Sequence, residues 1–459
     1  MSRAISQLTL ASWALWLASA PVVAQQLKVD TARQAMEIHP PELKSEKVEV
    51  RLSSPADDLA LGAGGRYIIL HHPSERKLSI FDINSAEFVK SVPADDDNVR
   101  FAAALDKLVV ILANTSAVQR YNLLTLERDK SLGLPGKAKV DHVTLGYNGK
   151  GPMLVTGKSA AGKQVAFFVN IYNMELVSYN GPDLSTNAFF DPSSYFRASA
   201  NNRVFTKWIP HLSPQGFFTV LLSGTQLKEQ RVHDSFGHLV PGPDGSHIYT
   251  ARGIYTPEGK TLSKDKRNAP WTLPAIASND YYISVDVDLL RRKPQVLNVH
   301  FTGDDRALAT LAGVELPKAN QWDRDTFGAD KRIMFIPDAD LIVTVPDGED
   351  RLVLHRFNLE KELQDSVVDY LVITSHPPKS CGRDAVYNYK VKVMSKKGGV
   401  KYRIDSGPKG MTISEDGELR WRVPLALTAS TQNVVIGVKD ATGQEKFQSF
   451  VINILDRLP

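Results

Sequence analysis

The stretch GGRYIILHHPSERKLSIFDINSAEFVKSVP, residues 64–93, decides the fold. Apolar runs at 67–70, 78–83 and 88–92 are separated by a polar turn and by NSAE, so three short strands must fold back on one another. About 41 residues later LDKLVVILANTSAVQRYNLLTLERDKSLGLP, residues 105–135, repeats the order, with Phe81-Asp82 and Tyr121-Asn122 in equivalent places. Looser copies follow at 151–179, 201–232, 245–262, 280–308 and 339–363, which makes seven. A unit of three or four strands recurring every 40–50 residues cannot bury both faces alone, and stacking such units radially gives a β-propeller. Residues 48–365 divided by seven give about 45 per blade. EKVEVRL, residues 46–52, precedes the first copy and is placed to supply a closing strand that removes the exposed edge of the ring.

In period and turn chemistry these roughly 320 residues resemble bacterial WD-repeat-like or YVTN-like propellers. The Gly-His and Trp-Asp dipeptides of true WD repeats do not recur from copy to copy, and copies three to six vary in length, so six or eight blades also fit.

After residue 365 the period breaks, and 370–456 hold six or seven short strands, the size of a β-sandwich. In SGPKGMTISEDGELRWRVP, residues 406–424, Met411 and Ile413 alternate with polar residues, as do Leu419, Trp421 and Val423. Each set turns one face to a core, so Trp421 is expected inside it. Pro408 and Gly410 suit positions i+1 and i+3 of a type I turn, and Asp416-Gly417 a hairpin bend. Pro377-Pro378, the Tyr387, Tyr389, Val391 strand, and 406–413 with 417–424 are together similar to the immunoglobulin-like, cadherin-related domains of bacterial surface proteins. Related domains often carry an acidic loop after the aromatic strand. Here it reads Ser395-Lys396-Lys397-Gly398-Gly399, and its two lysines would repel calcium.

The whole chain sets further bounds. Its 459 residues exceed one ordinary domain, and 55 Lys plus Arg against 51 Asp plus Glu, interspersed, leave a net +4 with no nucleic-acid footprint. MSRAISQLTLASWALWLASAPVVAQQ opens with Arg3, an apolar run of about 13 residues against the ~20 that span a bilayer, and small residues at Val22 and Ala24. This predicts a signal peptide over 1–24, a mature start at Gln25 and a polar lead-in arm over 25–47. No transmembrane segment is expected after cleavage. Cys381 is the single cysteine, which excludes an intramolecular disulfide, a cysteine zinc site and c-type haem attachment. It follows HPPKS and is expected partly exposed in a loop.

Each candidate site in the sequence also has a plainer reading. GKSAAGKQ, residues 157–164, approaches a P-loop, but Gln164 replaces the hydroxyl and strands flank it, so a hairpin tip is expected. Ten of the eleven histidines (His71, His72, His142, His211, His233, His238, His247, His300, His355, His376) are dispersed, and adjacent strand residues such as His71-His72 face opposite sides and cannot easily share a metal. Asp234, Ser235 and His238 have triad composition, but polar loops collect such residues. Carboxylate clusters at 95–97, Asp286 with Asp288, Asp304-Asp305, Asp338 with Asp340, and 347–350 mostly abut turn signals, although a glycosidase needs only two converging carboxylates. Trp208, Trp271, Trp322, Tyr281 and Tyr282 could line a propeller mouth, with core packing as the default. No catalytic, cofactor-binding or metal residue is assigned, and no cofactor.

These readings converge on an exported two-domain all-β protein, a seven-bladed propeller followed by an immunoglobulin-like sandwich. Its expected role is non-enzymatic binding or scaffolding in the bacterial periplasm, the secreted fraction or the cell surface, with a protein or glycan partner at a propeller face. The alternative is an enzyme with its active site in the central funnel, a quinone-dependent dehydrogenase, lyase or hydrolase.

Overall fold

A computed structural model describes residues 36–455 apart from 136–137, 186–192, 211, 215, 264–269, 287–295, 318–327 and 379. The expected signal peptide, residues 25–35 of the lead-in arm, His211, Asp288 and Trp322 lie outside the described residues. The chain forms two compact units, Met36–Asp365 and one that begins at Ser366.

Among its described residues, the first unit is built of seven antiparallel sheets, six of four strands and one of three. Strands Asp58–Gly62, Tyr67–His72, Lys77–Asp82 and Glu87–Pro93 pair in order in the first sheet. The sequence repeat shows only the last three. The extra strand lies ahead of each copy and is the first strand of its sheet.

Alternation explains the stacking, because successive side chains on a strand point to opposite faces. Ile68 and Leu70 enter a core shared with Met334, Ile336 and Leu354 of the last sheet, whereas Tyr67 and Ile69 enter one shared with Phe101, Leu108 and Val110 of the second. Similar clusters join the second sheet to the third, the third to the fourth, and the fourth to the fifth. Each buried aliphatic side chain contributes about 1.5–3 kcal/mol, and each sheet needs both neighbours to obtain it.

The repeat extends to irregularities. Strand pairing slips at Ile80/Phe81 in the first sheet and at Arg120/Tyr121 in the second, the places aligned by sequence. The strand Lys47–Arg51 pairs with Arg351–Arg356, Val48 opposite Leu354 and Val50 opposite Leu352. The start of the chain thus completes the last sheet, as EKVEVRL suggests. The described end of the lead-in arm packs on the first sheet: Met36 is buried, the Asn84 side-chain amide donates to the Glu37 carbonyl at 2.7 Å, and the His39 amide donates to Asn84 Oδ1 at 2.9 Å.

In the second unit a four-stranded sheet and a three-stranded sheet enclose one core, and a two-stranded ribbon completes it. Tyr387, Tyr389, Leu419 and Trp421 from the smaller sheet meet Val434, Ile436, Val438 and Ile452 from the larger. Trp421 is 2 % exposed, as alternation requires.

The structure differs from the sequence expectation at two places. The turn bond runs from the Met411 amide to the Pro408 carbonyl at 3.2 Å, so Pro408 is residue i and Gly410, at φ 86°, is i+2. A left-handed i+2 residue belongs to a type II turn, and glycine has no Cβ to oppose it. Cys381 is not in an exposed loop. It is buried in the strand Ser380–Gly382, which pairs in parallel with the chain's last strand, and burial pushes its thiol pKa up.

Candidate functional site at the centre of the first unit

One cavity draws residues from the first strand of all seven sheets: Ala60, Ala102, Val143, Arg197, Val240, Leu273 and Met334. The sheets therefore converge radially, as in a propeller, and their first strands wall a central channel.

Arg197, on the first strand of the fourth sheet, reaches across to Asp330, just ahead of the seventh. Its Nη2 donates to Asp330 Oδ1 at 2.9 Å, its Nε contacts the other carboxylate oxygen, and Nη1 donates to the Phe196 carbonyl at 2.9 Å. Burial pushes the Asp330 carboxyl up, but the charge and hydrogen bonds of Arg197 outweigh it and hold the carboxyl below its usual range. The Arg197 guanidinium lies 5.2 Å from the Trp208 ring centroid, which supports it from one side. Next to this strut, Lys331 pairs with Asp58 of the first sheet.

The strut borders two chambers. The apolar one, about 150 Å³, is lined by Leu59, Leu61, Leu145, Leu273, Ile333 and Met334 among others. Gly146 closes the nearby wall: a Cβ there would sit 2.0 Å from the Ser199 carbonyl oxygen, so only glycine permits the approach.

The polar chamber, about 170 Å³, is lined by Asp57, Asp58, His71, Arg100, His142, Thr144, Arg197 and Lys331, with Phe101 and Phe196 as aromatic walls. His71 Nδ1 is 2.6 Å from Asp57 Oδ1, the residue is 7 % exposed, and Nε2 is buried without a hydrogen-bond partner. Arg100 donates from Nε to the Asp141 carbonyl at 2.6 Å and from Nη1 to the Val99 carbonyl at 2.9 Å. Among the described residues no carboxylate pairs with it. The His142 ring packs 5.2 Å from Phe196.

The remaining sequence candidates fall elsewhere. Residues 159–163 form the tip of the hairpin joining Met153–Lys158 to Gln164–Asn170. His72 faces away from His71 and bonds to Ser79 Oγ at 2.7 Å and the Ser54 carbonyl at 2.9 Å. Asp234 pairs with Arg252 and His238 Nε2 contacts the Thr272 carbonyl, so the Asp-Ser-His composition is not brought together as a triad.

Asp95 and Asp97 grip Arg76, Asp304 grips Arg306, and Asp347 and Glu349 flank the buried Arg332. Asp338 belongs to a short 3-10 turn that Asp340 ends in the left-handed region, and Asp286 ends a strand. Trp208, Tyr281 and Tyr282 are buried, and Trp271 packs its ring 5.1 Å from His238. In the second unit Lys397 pairs with Asp369, and Lys396 donates to the Ser366 carbonyl.

Of the sequence candidates, the channel gathers His71 and His142. Asp57, Asp58, Arg100, Arg197, Asp330 and Lys331 belong to no sequence motif. A signal existed: Arg100 and His142 interrupt apolar short strands and lie 42 positions apart, one repeat.

No family model matches the chain, and no curated protein matches it. Among solved structures it is similar to the β-propeller domain of Myceliophteria thermophila Cps50 (Swd1), at 10 % identity over 68 % of this chain and 100 % of that one, TM-score 0.44. It is also similar to Kuenenia stuttgartiensis hydrazine synthase, at 10 % identity over 69 % and 99 % of the two chains, TM-score 0.41. A third is KlHsv2 with its loop 6CD replaced by a Gly-Ser linker, at 11 % identity over 65 % and 96 %, TM-score 0.39. Likeness at this level says nothing of function, and the propeller reading rests on the sheets themselves. Among the described residues no helix is long and apolar enough to cross a membrane.

Proposed function

We propose that this chain is an exported, non-enzymatic binding protein of the bacterial periplasm or cell surface, a seven-bladed propeller carrying an immunoglobulin-like sandwich, which recognises its partner at the polar mouth of the channel. The seven sheets, the cavity lined from all of them and the two-sheet core around Trp421 support the architecture. Residues 1–24 would direct export and be removed.

One observation carries the binding role. In the channel each acidic side chain is already committed, Asp57 to His71, Asp58 to Lys331 and Asp330 to Arg197, whereas the Arg100 guanidinium holds only backbone carbonyls. Acid–base chemistry by paired carboxylates needs at least one held free to exchange a proton. A concave surface with one uncompensated cation is suited to hold an acidic group of a protein or glycan. Pull-down by the full chain from a native envelope extract should retain a partner that Arg100→Glu releases. Capture of nothing beyond controls would count against the proposal.

A second reading has one observation in its favour. A histidine with a carboxylate at Nδ1 and an unpartnered Nε2 has the hydrogen-bond pattern of a general base, which favours a channel hydrolase or lyase. Turnover of a glycan or ester substrate that is abolished in His71→Gln would establish it.

A further inference from the structure

We propose that the polar chamber binds a small, singly charged hydroxycarboxylate, its carboxylate on Arg100 and its hydroxyl on His71 Nε2; this rests on the binding reading above. A guanidinium has five N–H donors in a fixed fork. Arg100 commits two of them, to the Asp141 and Val99 carbonyls, and those carbonyls do not cancel its charge. The uncommitted edge of such a fork matches a carboxylate. The other two cations on the chamber wall have carboxylate partners, Arg197 with Asp330 and Lys331 with Asp58, and the remaining carboxylate, Asp57, contacts His71. One guanidinium fork engages one carboxylate, which favours a monoanion over a dianion.

His71 supplies the second point of recognition. The Asp57 carboxylate accepts, so Nδ1 carries a ring proton, and in that tautomer Nε2 is the acceptor. It is buried, in a residue 7 % exposed, with no acceptor or donor of the protein against it. A buried polar atom left unpaired costs about 1–3 kcal/mol, which a ligand hydroxyl would relieve.

The chamber's volume, about 170 Å³, lies below the ~300–1,000 Å³ of sites for drug-sized ligands, so the occupant is a few carbons long or a single sugar acid. The Phe101 and Phe196 rings supply the apolar part of the chamber wall.

Titration calorimetry on the full chain tests this with L-lactate, propionate, lactamide and D-glucuronate. Lactate or glucuronate should bind, propionate at least tenfold more weakly than lactate, and lactamide not at all. Glucuronate without lactate would assign a sugar acid, lactate without glucuronate a free short acid. Arg100→Gln should weaken binding at least tenfold. His71→Phe should erase the preference for lactate over propionate without abolishing the weak propionate binding, and this second variant decides the matter should Arg100→Gln fail to fold by circular dichroism.

Equal affinity for lactate and propionate, unchanged affinity in Arg100→Gln, or no heat from either hydroxycarboxylate on folded protein would overturn the assignment. If the hydroxycarboxylates fail while an envelope partner is still retained, only the ligand class falls. If they bind and are converted to product, the non-enzymatic reading falls instead.

Discussion

Replacing Asp330 by Asn tests whether the cross-channel strut holds the sheets of the first unit in place. The side chains of Arg197 and Asp330 are 14 % and 6 % exposed, joined through two contacts, and Asn preserves their shape while removing the charge. Arg197 remains charged because a guanidinium does not deprotonate in a protein, so the variant leaves a buried cation beside Trp208 with neutral carbonyl acceptors and no counter-charge from residue 330. Breaking a buried pair from one side costs about 3–5 kcal/mol, a large part of the ~5–15 kcal/mol that holds a domain together.

Urea unfolding of the full chain, followed by circular dichroism, should show the first unit's transition displaced by that amount. Arg197→Met should cost a similar amount, whereas Arg197→Met with Asp330→Leu should recover most of the loss, because well-packed apolar residues often replace a buried pair at no cost. The sign in acid follows from the same pair. The folded carboxyl pKa lies below its unfolded value, so the pair's stabilisation is complete above the unfolded pKa and is lost as pH falls through the folded one. Asp330→Asn should therefore flatten the acid limb of the stability curve. If both single variants cost less than about 1 kcal/mol, or their costs simply add in the double variant, the strut is not what joins the two sides.

Trp421→Ala should cost the second unit about 3–5 kcal/mol, read as loss of its own melting transition in the full chain, and an unchanged melting profile would refute its place in the core. His72, His300 and His355 all have pKa values lowered, first of all by burial, so they are neutral when folded and the unfolded chain binds the extra protons. The first unit's melting temperature should fall as pH drops below about 6.5 and stay level above it. A melting temperature that rises towards pH 5 would contradict this, and His72→Gln should make the slope shallower. Gly146→Ala should destabilise the first unit by more than a solvent-exposed Gly162→Ala, since only the former meets backbone within 3 Å. N-terminal sequencing of chain exported from a bacterial host should begin at Gln25, and a retained leader would refute the expected cleavage.

Much of this architecture is legible along the chain because its causes are local. Alternation in YIILHH and KLSIFD places side chains on two faces whatever surrounds them, and SEDG bends at a glycine that adopts φ 82°. The first strands were harder to read. VRFAA, KVDHVT and YFRA are short, and polar residues interrupt their alternation where they face the channel. Cys381 was misplaced for a related reason: its three-residue strand exists only because the chain's last strand lies beside it in parallel, a pairing of residues some seventy positions apart that no local signal announces.

By itself, then, the sequence determined the period, the strand faces, the break after residue 365 and the burial of Trp421. All follow from backbone pleat and turn chemistry within a few residues. Only the tertiary structure decided that Arg197 meets Asp330 across 133 residues of chain and that His71 shares a chamber with Arg100. Which polar residues converge depends on how seven sheets pack around one axis. That packing is set by side-chain cores shared between neighbouring sheets, not by any residue's own conformational preference.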